Sequence, residues 1–395
     1  MKAMLLLALV LVALGSNACA YEVTVGNRKI WTYPHKPVAT IGSLAELRAR
    51  YQLVKGMLPP TPFVMEDKWV LTDARGNLRV VPRDPEWLET LSPEGKWVLQ
   101  RKLTDPEFTA TPGTARLRSA SGKMRWTKEQ NISLPTVTDD GIVIFFDRYP
   151  SRTAVTFLSK DGKEPHRVTE VFAREHDYGQ GRPPLLMPSH KTVIVGGKDE
   201  VVAMSLDGKI RWRYRVPAPA DRLSRFFPDP AGRGLAVVLT YPNPPNSSVH
   251  FLDEDTGVMR AGLWTNEPHN TPTLFSPHGN YGAGVASTYL ILTDWLTGRE
   301  MWRQVRGEAG APADFLVAEG DASSLSDTGL VAAPLRDGTT VLQPSGEPLW
   351  RCTIDPDGYA KNVLSADGKR LVVGCMTTSR PLVLEALLIY ALDQR

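Results

Sequence analysis

Cysteine is scarce in this chain, with three among 395 residues. Such a count cannot build a disulfide-rich scaffold. The two cysteines beyond the first twenty residues, Cys352 and Cys375, cannot make a four-ligand zinc site. No charge sign dominates: Lys and Arg number 46 against 43 Asp and Glu. That balance argues against a dedicated nucleic-acid binder, which would show a basic excess. After residue 20 no apolar stretch approaches the ~20 residues of a membrane-spanning helix. The longest, near Pro381 to Leu392, is interrupted by Glu385. The sequence has no Gly-x-Ser-x-Gly elbow and no phosphate-cradling Gly-Lys-Ser/Thr loop. His166 and His176 lie ten apart, and His269 and His278 nine apart. Neither pair has the i, i+4 spacing that puts two metal ligands on one helix face.

Turn formers, by contrast, are plentiful. Gly 32 and Pro 32 make up about 16% of the chain, against an average near 12%. That excess favours many turns over long helices. Hydrophobic residues reach 42%, enough to bury a real core.

The N-terminus reads as an export signal covering residues 1–20. Lys2 supplies a positive start, Leu5 to Leu14 an apolar core too short to span a bilayer, and Ala18-Cys19-Ala20 a small-x-small cleavage site before Tyr21. Lipidation of Cys19 is the alternative processing, and it is the one route to membrane contact. Either way the protein is expected outside the cytoplasm, in the periplasm, at the cell envelope or secreted. An exported location permits a Cys352–Cys375 disulfide, and two free buried thiols are equally compatible with the sequence.

One short pattern recurs, a turn ending in Gly followed by a strand that carries Trp. Gly122 leads to Trp126, Gly208 to Trp212, Gly298 to Trp302 and Gly346 to Trp350. Weaker copies follow Gly76, Gly162 and Gly257, with His166 and Ala261 in the Trp position of the last two. These glycines are spaced 40 to 49 residues apart, the range of propeller blades. A second turn lies upstream in most units, as in Ser92-Pro93-Glu94-Gly95, Asp139-Asp140-Gly141, Ser276-Pro277-His278-Gly279 and Ala366-Asp367-Gly368. β-rich runs flank both turns, so each period holds two hairpins and four strands, which is one blade. A large flat ring at a fixed place in each blade fills the same inter-blade gap, so the Trp residues are read as core rather than as ligand contacts.

The chain ends on a strand, Leu388 to Asp393, that lacks its Gly-to-Trp partner. Gly26 to Trp31 supplies that pattern with one extra residue, so residues 21–33 are expected to close the last blade and remove a free sheet edge. The expected fold is therefore an all-β propeller over residues 21–395, closed by the N-terminal strand. Eight blades are favoured over seven, because Lys68 to Val81 reads as a further hairpin. Residues 43–57 are expected as a short helical insertion with Ser43 as N-cap and Leu44, Leu47, Tyr51 and Val54 on one face.

The runs Leu252 to Gly257 and Leu296 to Trp302 resemble pyrroloquinoline-quinone-type, quinoprotein-like propeller repeats. The Ser-Pro-x-Gly turns are similar to WD-type and Tyr-Val-Thr-Asn-type repeats. The resemblance covers about residues 21–395 and implies architecture more than function. It takes in quinone-dependent alcohol dehydrogenases, a non-enzymatic lipoprotein that helps insert outer-membrane barrels, and binding propellers. The dehydrogenases use adjacent cysteines over the cofactor, a Ca²⁺ site and a catalytic carboxylate. Here Cys352 and Cys375 stand 23 apart, and no catalytic, cofactor or metal residue carries over. The expectation is a non-enzymatic exported propeller, without cofactor, that binds a protein or envelope partner. A quinone-dependent oxidoreductase and a glycan- or small-ligand-binding propeller are the alternatives. Arg211, Arg213 and Arg215 are expected on one exposed strand face, and Tyr241 to Asn246 forms a Pro-rich loop of the kind that carries recognition.

Overall fold

The turns are set by their own side chains. Ser276 Oγ accepts the amides of Asn280 and Tyr281 at 3.0 and 3.2 Å, while the Gly279 amide bonds the Ser276 carbonyl at 2.9 Å. Ser92 does the same for Lys96 and Trp97, at 3.0 and 3.2 Å. Thr138, Ser326 and Ser365 cap the equivalent turns with hydroxyl contacts of 2.9 to 3.1 Å. A small hydroxyl residue thus closes each of these corners and frees the flanking residues to pair as strands.

The structure is a computed structural model that describes residues 20–25, 28–58, 62–102, 113–130, 132–146, 154–168, 171, 183–197, 199–217, 220, 222–229, 234–242, 245–265, 274–285, 289–294, 297, 299–305, 324–335, 338–355, 359–376 and 383–393. Among them, eight antiparallel sheets follow one another along the chain. The first has three strands, Phe63–Met65, Lys68–Thr72 and Leu78–Pro82. The second comprises Leu88–Leu91, Trp97–Lys102, Thr114–Ser119 and Met124–Glu129. The third runs Ser133–Val137, Val143–Phe146, Val155–Leu158 and His166–Val168, and the fourth Leu185–Leu186, Thr192–Gly196, Glu200–Ser205 and Ile210–Arg215. The fifth is Arg222–Pro228, Leu235–Pro242, Pro245–Leu252 and Met259–Thr265, and the sixth Leu274–Phe275, Tyr281–Val285, Tyr289–Asp294 and Arg299–Val305. The seventh begins Ser324–Leu325, Val331–Leu335, Gly338–Leu342 and Pro348–Asp355. The eighth begins Tyr359–Leu364, Arg370–Met376 and Leu384–Ala391. Within each sheet the strands named here form an up-and-down meander in chain order. This is the β-propeller class with eight blades, the eighth count being supplied by Phe63 to Pro82.

Two units divide these sheets. One, Pro60–Pro272 with Leu296–Gly298, holds the first five; the other, Met1–Pro59 with Thr273–Trp295 and Arg299–Arg395, holds the last three. In both, the middle strands are buried on two faces. Val143–Phe146, Thr192–Gly196 and Val331–Leu335 are buried at every position. Such strands read as unbroken apolar runs rather than as alternation.

The N-terminal segment departs from the expected pairing. Residues 21–33 do not lie on the last strand. Arg28–Tyr33 pairs with Pro348–Asp355 in the seventh sheet, and Tyr21–Val25 folds back on it, so that sheet has six strands. The strand beside Leu384–Ala391 is Ala39–Ile41, with Thr40 opposite Leu388. The reason lies in alternation. Arg28, Ile30 and Thr32 are buried while Lys29 is exposed and Trp31 half-buried, a pattern that fits a strand with one covered face. A helix follows over Leu44–Val54, and Ser43 Oγ accepts the Glu46 amide at 3.2 Å. Its buried residues are Leu44, Leu47 and Val54, with Tyr51 half-buried.

Candidate partner-binding surface

The recurrent Trp side chains meet glycines of the following sheet. A Cβ on Gly162 would lie 2.9 Å from Trp126 Cγ, one on Gly257 would lie 2.6 Å from Trp212 Cδ2, and one on Gly346 would lie 3.2 Å from Trp302 Cγ. In the third sheet His166 takes the Trp position, and its Cβ stands 2.8 Å from where a Cβ on Gly208 would be. The Trp212 indole N–H also donates to the Glu254 carbonyl at 2.8 Å. The glycine therefore serves two ends, since it takes the positive φ of its turn and leaves room for the ring. Among the described residues no glycine meets Trp350 in this way, and it packs against Tyr390, ring centres 4.6 Å apart. Trp31 sits in the seventh sheet between Glu22 and Thr353. Residues 1–19, including Cys19, and Gly26 and Gly298 lie outside the described residues.

Cys352 and Cys375 are free and buried. They belong to separate sheets: Cys352 pairs across from Thr32 and Thr339, Cys375 across from Ala360 and Ala386. Both line one apolar core with Trp350 and Tyr390. Burial pushes the Cys375 thiol up to about 12 and the Tyr390 hydroxyl well above its usual range.

A polar row crosses the second sheet. Glu89, Gln100 and Arg116 stand directly opposite one another on its first three strands. Gln100 Nε2 donates to Glu89 Oε1 at 2.5 Å, and Arg116 Nε donates to Gln100 Oε1 at 2.6 Å. The Glu89 side chain is 0% exposed. It also accepts Trp69 Nε1 at 2.5 Å and Arg118 at 2.9 Å. A buried carboxylate is tolerable only with this degree of hydrogen bonding. At the outer end, Arg116 binds Asp84 at 2.8 Å and lies 3.8 Å over the Trp87 ring. Lys102 Nζ stands 5.6 Å from the same ring. Trp87 is half-buried, and its neighbour Leu88 is 52% exposed. Sequence reading missed this group because it carries no motif. Its trace is a charge alternating with apolar residues, as in Arg116-Leu117-Arg118.

Further side chains are tied into the fold. His250 is buried between Tyr214, whose hydroxyl lies 2.5 Å from Nδ1, and Ser248, whose Oγ lies 3.0 Å from Nε2; burial lowers its pKa. Arg211, Arg213 and Arg215 share one exposed strand face. Arg211 pairs with Asp255 at 2.7 Å and Arg213 with Glu200 at 3.3 Å. In the Pro-rich segment Tyr241 and Pro242 pair with Asn246 and Pro245, and residues 243–244 lie outside the described residues. Among the described residues no cluster of three His, Cys, Asp or Glu could hold a metal ion, and no helix is long and apolar enough to cross a membrane.

Four-stranded meanders repeated in order, with capped corners and ring-on-glycine packing, define a β-propeller. The sequence matches no family model, and no curated protein matches it. Among solved structures, the Dos1 propeller is similar at a TM-score of 0.47 and 10% identity, over 91% of this chain and 95% of that one. The C-terminal WD40 domain of Sif2 is similar at 0.44 and 10%, over 90% and 97%. A eukaryotic initiation factor is similar at 0.43 and 10%, over 84% of each.

Proposed function

We propose that the chain is an exported, non-enzymatic propeller that binds a protein partner at the cell envelope, with residues 1–20 removed as a leader. The observation that carries the partner reading is the surface at Trp87. Trp and Arg are the residue types that dominate interface energetics, and Arg116 holds its guanidinium 3.8 Å over that ring beside exposed Leu88. The chain of bonds from Glu89 through Gln100 fixes Arg116 before any partner arrives, so little side-chain freedom is lost on docking. The leader reading rests on Lys2, the Leu5 to Leu14 run and Ala18-Cys19-Ala20.

The test is cross-linking in envelope preparations, followed by affinity measurement with the protein recovered. Trp87→Ala should weaken binding by at least ~30-fold, the level of an interface hot spot, while the melting temperature moves little. Unchanged affinity in both Trp87→Ala and Leu88→Ala would refute the surface. Intact mass of the mature chain tests the leader: a start at Tyr21 supports simple cleavage, and a lipid-modified Cys19 start replaces it with tethering.

A further inference from the structure

We infer that the edge of Tyr21–Val25 is a self-association site, at which a second copy of this chain pairs antiparallel across a two-fold axis. Among the described residues no strand lies on the outer edge of Tyr21–Val25, the last of six in its sheet. Exposed edges invite pairing unless they are blunted by bulges, charges, proline or short length. The fourth strands of other sheets are blunted. Met124–Glu129, Ile210–Arg215, Met259–Thr265 and Arg299–Val305 each carry a register shift against their neighbour. Each also bears at least one Arg, and Ile210–Arg215 bears three. Leading strands such as Leu185–Leu186, Leu274–Phe275 and Ser324–Leu325 are only two residues long. Tyr21–Val25 has none of these devices. Its five pairs with Arg28–Tyr33 run without a shift, it contains no proline, and its single charged side chain, Glu22, is balanced by Lys29 at 3.3 Å.

The side chains select the occupant. Tyr21, Val23 and Val25 share one face, with Val25 buried and Val23 packed against the core of the seventh and eighth sheets. Tyr21, at the end of that row, is 41% exposed. Antiparallel pairing centred on Val23 sets Tyr21 against Val25 of the second copy, an aromatic and β-branched pair of the favourable kind. It sets Glu22 against Thr24, so no like charges meet. The register displaced by two residues would oppose Glu22 to Glu22, which disfavours it. The contact is isologous and closes as a dimer rather than a filament. Five residues a side bury less than the ~1,200 Å² of a stable interface, so the association is weak and concentration-dependent. It is independent of the Trp87 surface, which lies on another sheet.

Sedimentation velocity from about 5 to 500 μM tests it, spanning the weak affinities expected of small interfaces. The wild-type chain should pass reversibly from monomer to dimer. Thr24→Glu should weaken the dimer roughly 2- to 30-fold, because the introduced carboxylate then faces Glu22 of the other copy, once on each side of the two-fold axis. Within its own chain Thr24 stands opposite Lys29, so the substitution leaves the hairpin intact, as an unchanged melting temperature would verify. Glu22→Lys combined with Thr24→Glu should restore association, since an ammonium at position 22 then faces a carboxylate at position 24. A chain that stays monomeric throughout, or a dimer indifferent to Thr24→Glu, overturns the inference. So does a double variant no better than Thr24→Glu.

Discussion

Replacing Gly257 by Ala isolates the energetic role of the ring-on-glycine contact. Gly257 adopts φ +69°, and an added Cβ would lie 2.6 Å from Trp212 Cδ2, 2.7 Å from Cε3 and 2.9 Å from Cγ. These atoms are the root of a buried indole, not the end of a flexible chain. Gly122 is the matched control, at φ +87° with nothing within 4 Å of an added Cβ. In both, the left-handed backbone costs an L-residue about 1–2 kcal/mol. Lost freedom in the unfolded chain offsets about 0.4–1 kcal/mol of that. Gly122→Ala should therefore cost about 1 kcal/mol. Overpacking against Trp212 adds about 1–3 kcal/mol, so Gly257→Ala should cost about 2–4 kcal/mol. In thermal unfolding this separates the two by several degrees, at about 2–4 °C per kcal/mol for a unit of this size. In a Trp212→Leu background the two alanine substitutions should cost the same, because the clash has gone. Equal destabilisation in the wild-type background would refute the packing role of the indole.

Three further outcomes follow from the same structure. His190 holds φ +58° and bonds its amide to the Met187 carbonyl at 2.8 Å, in the turn position that Gly95, Gly141, Gly279, Gly329 and Gly368 fill in other sheets. His190→Gly should stabilise by about 0.5–1 kcal/mol, and a lowered melting temperature would contradict this. Burial holds the His250 pKa below its ordinary 6.5, so the folded chain binds that proton less readily than the unfolded chain. The stabilisation is complete above the unfolded value and is lost as pH falls through the folded one. Melting temperature should fall less between pH 7.5 and 5 in His250→Gln than in the wild type, and an imidazole titrating at or above 6.5 by NMR would reject the assignment. The buried thiols, with Cys375 pushed up to about 12, should not react with Ellman's reagent in the folded chain. Urea should release two in a chain that starts at Tyr21, and rapid labelling of either without denaturant would count against the buried core.

The blades were legible because their corners are local. An Asp-Gly or Ser-Pro-x-Gly turn declares its conformation within four residues, and Gly162, Gly208 and Gly257 keep their rhythm where His166 or Ala261 replaces the ring. The N-terminal pairing was not legible in the same way. Gly26 to Trp31 imitates the repeat, yet Arg28–Tyr33 lies on Pro348–Asp355, and the less distinctive Ala39–Ile41 meets Leu384–Ala391. Strand partners distant in sequence are chosen by edge fit and face burial, which a motif does not encode. The Glu89 row stayed hidden for a related reason. Glu89, Gln100 and Arg116 are ordinary surface residue types, and they become a buried relay only when three strands align them.

The pairing of Ile41 with Leu387 also sets a timetable. The two partners are separated by about 350 residues, which a ribosome adds in roughly 20 to 70 s at typical elongation rates. For that interval Ala39–Ile41 waits without its neighbour, and the eighth sheet is completed only once Leu384–Ala391 has been made. An incomplete chain is thus held short of its finished form by topology alone, the condition under which a chaperone can still act on it.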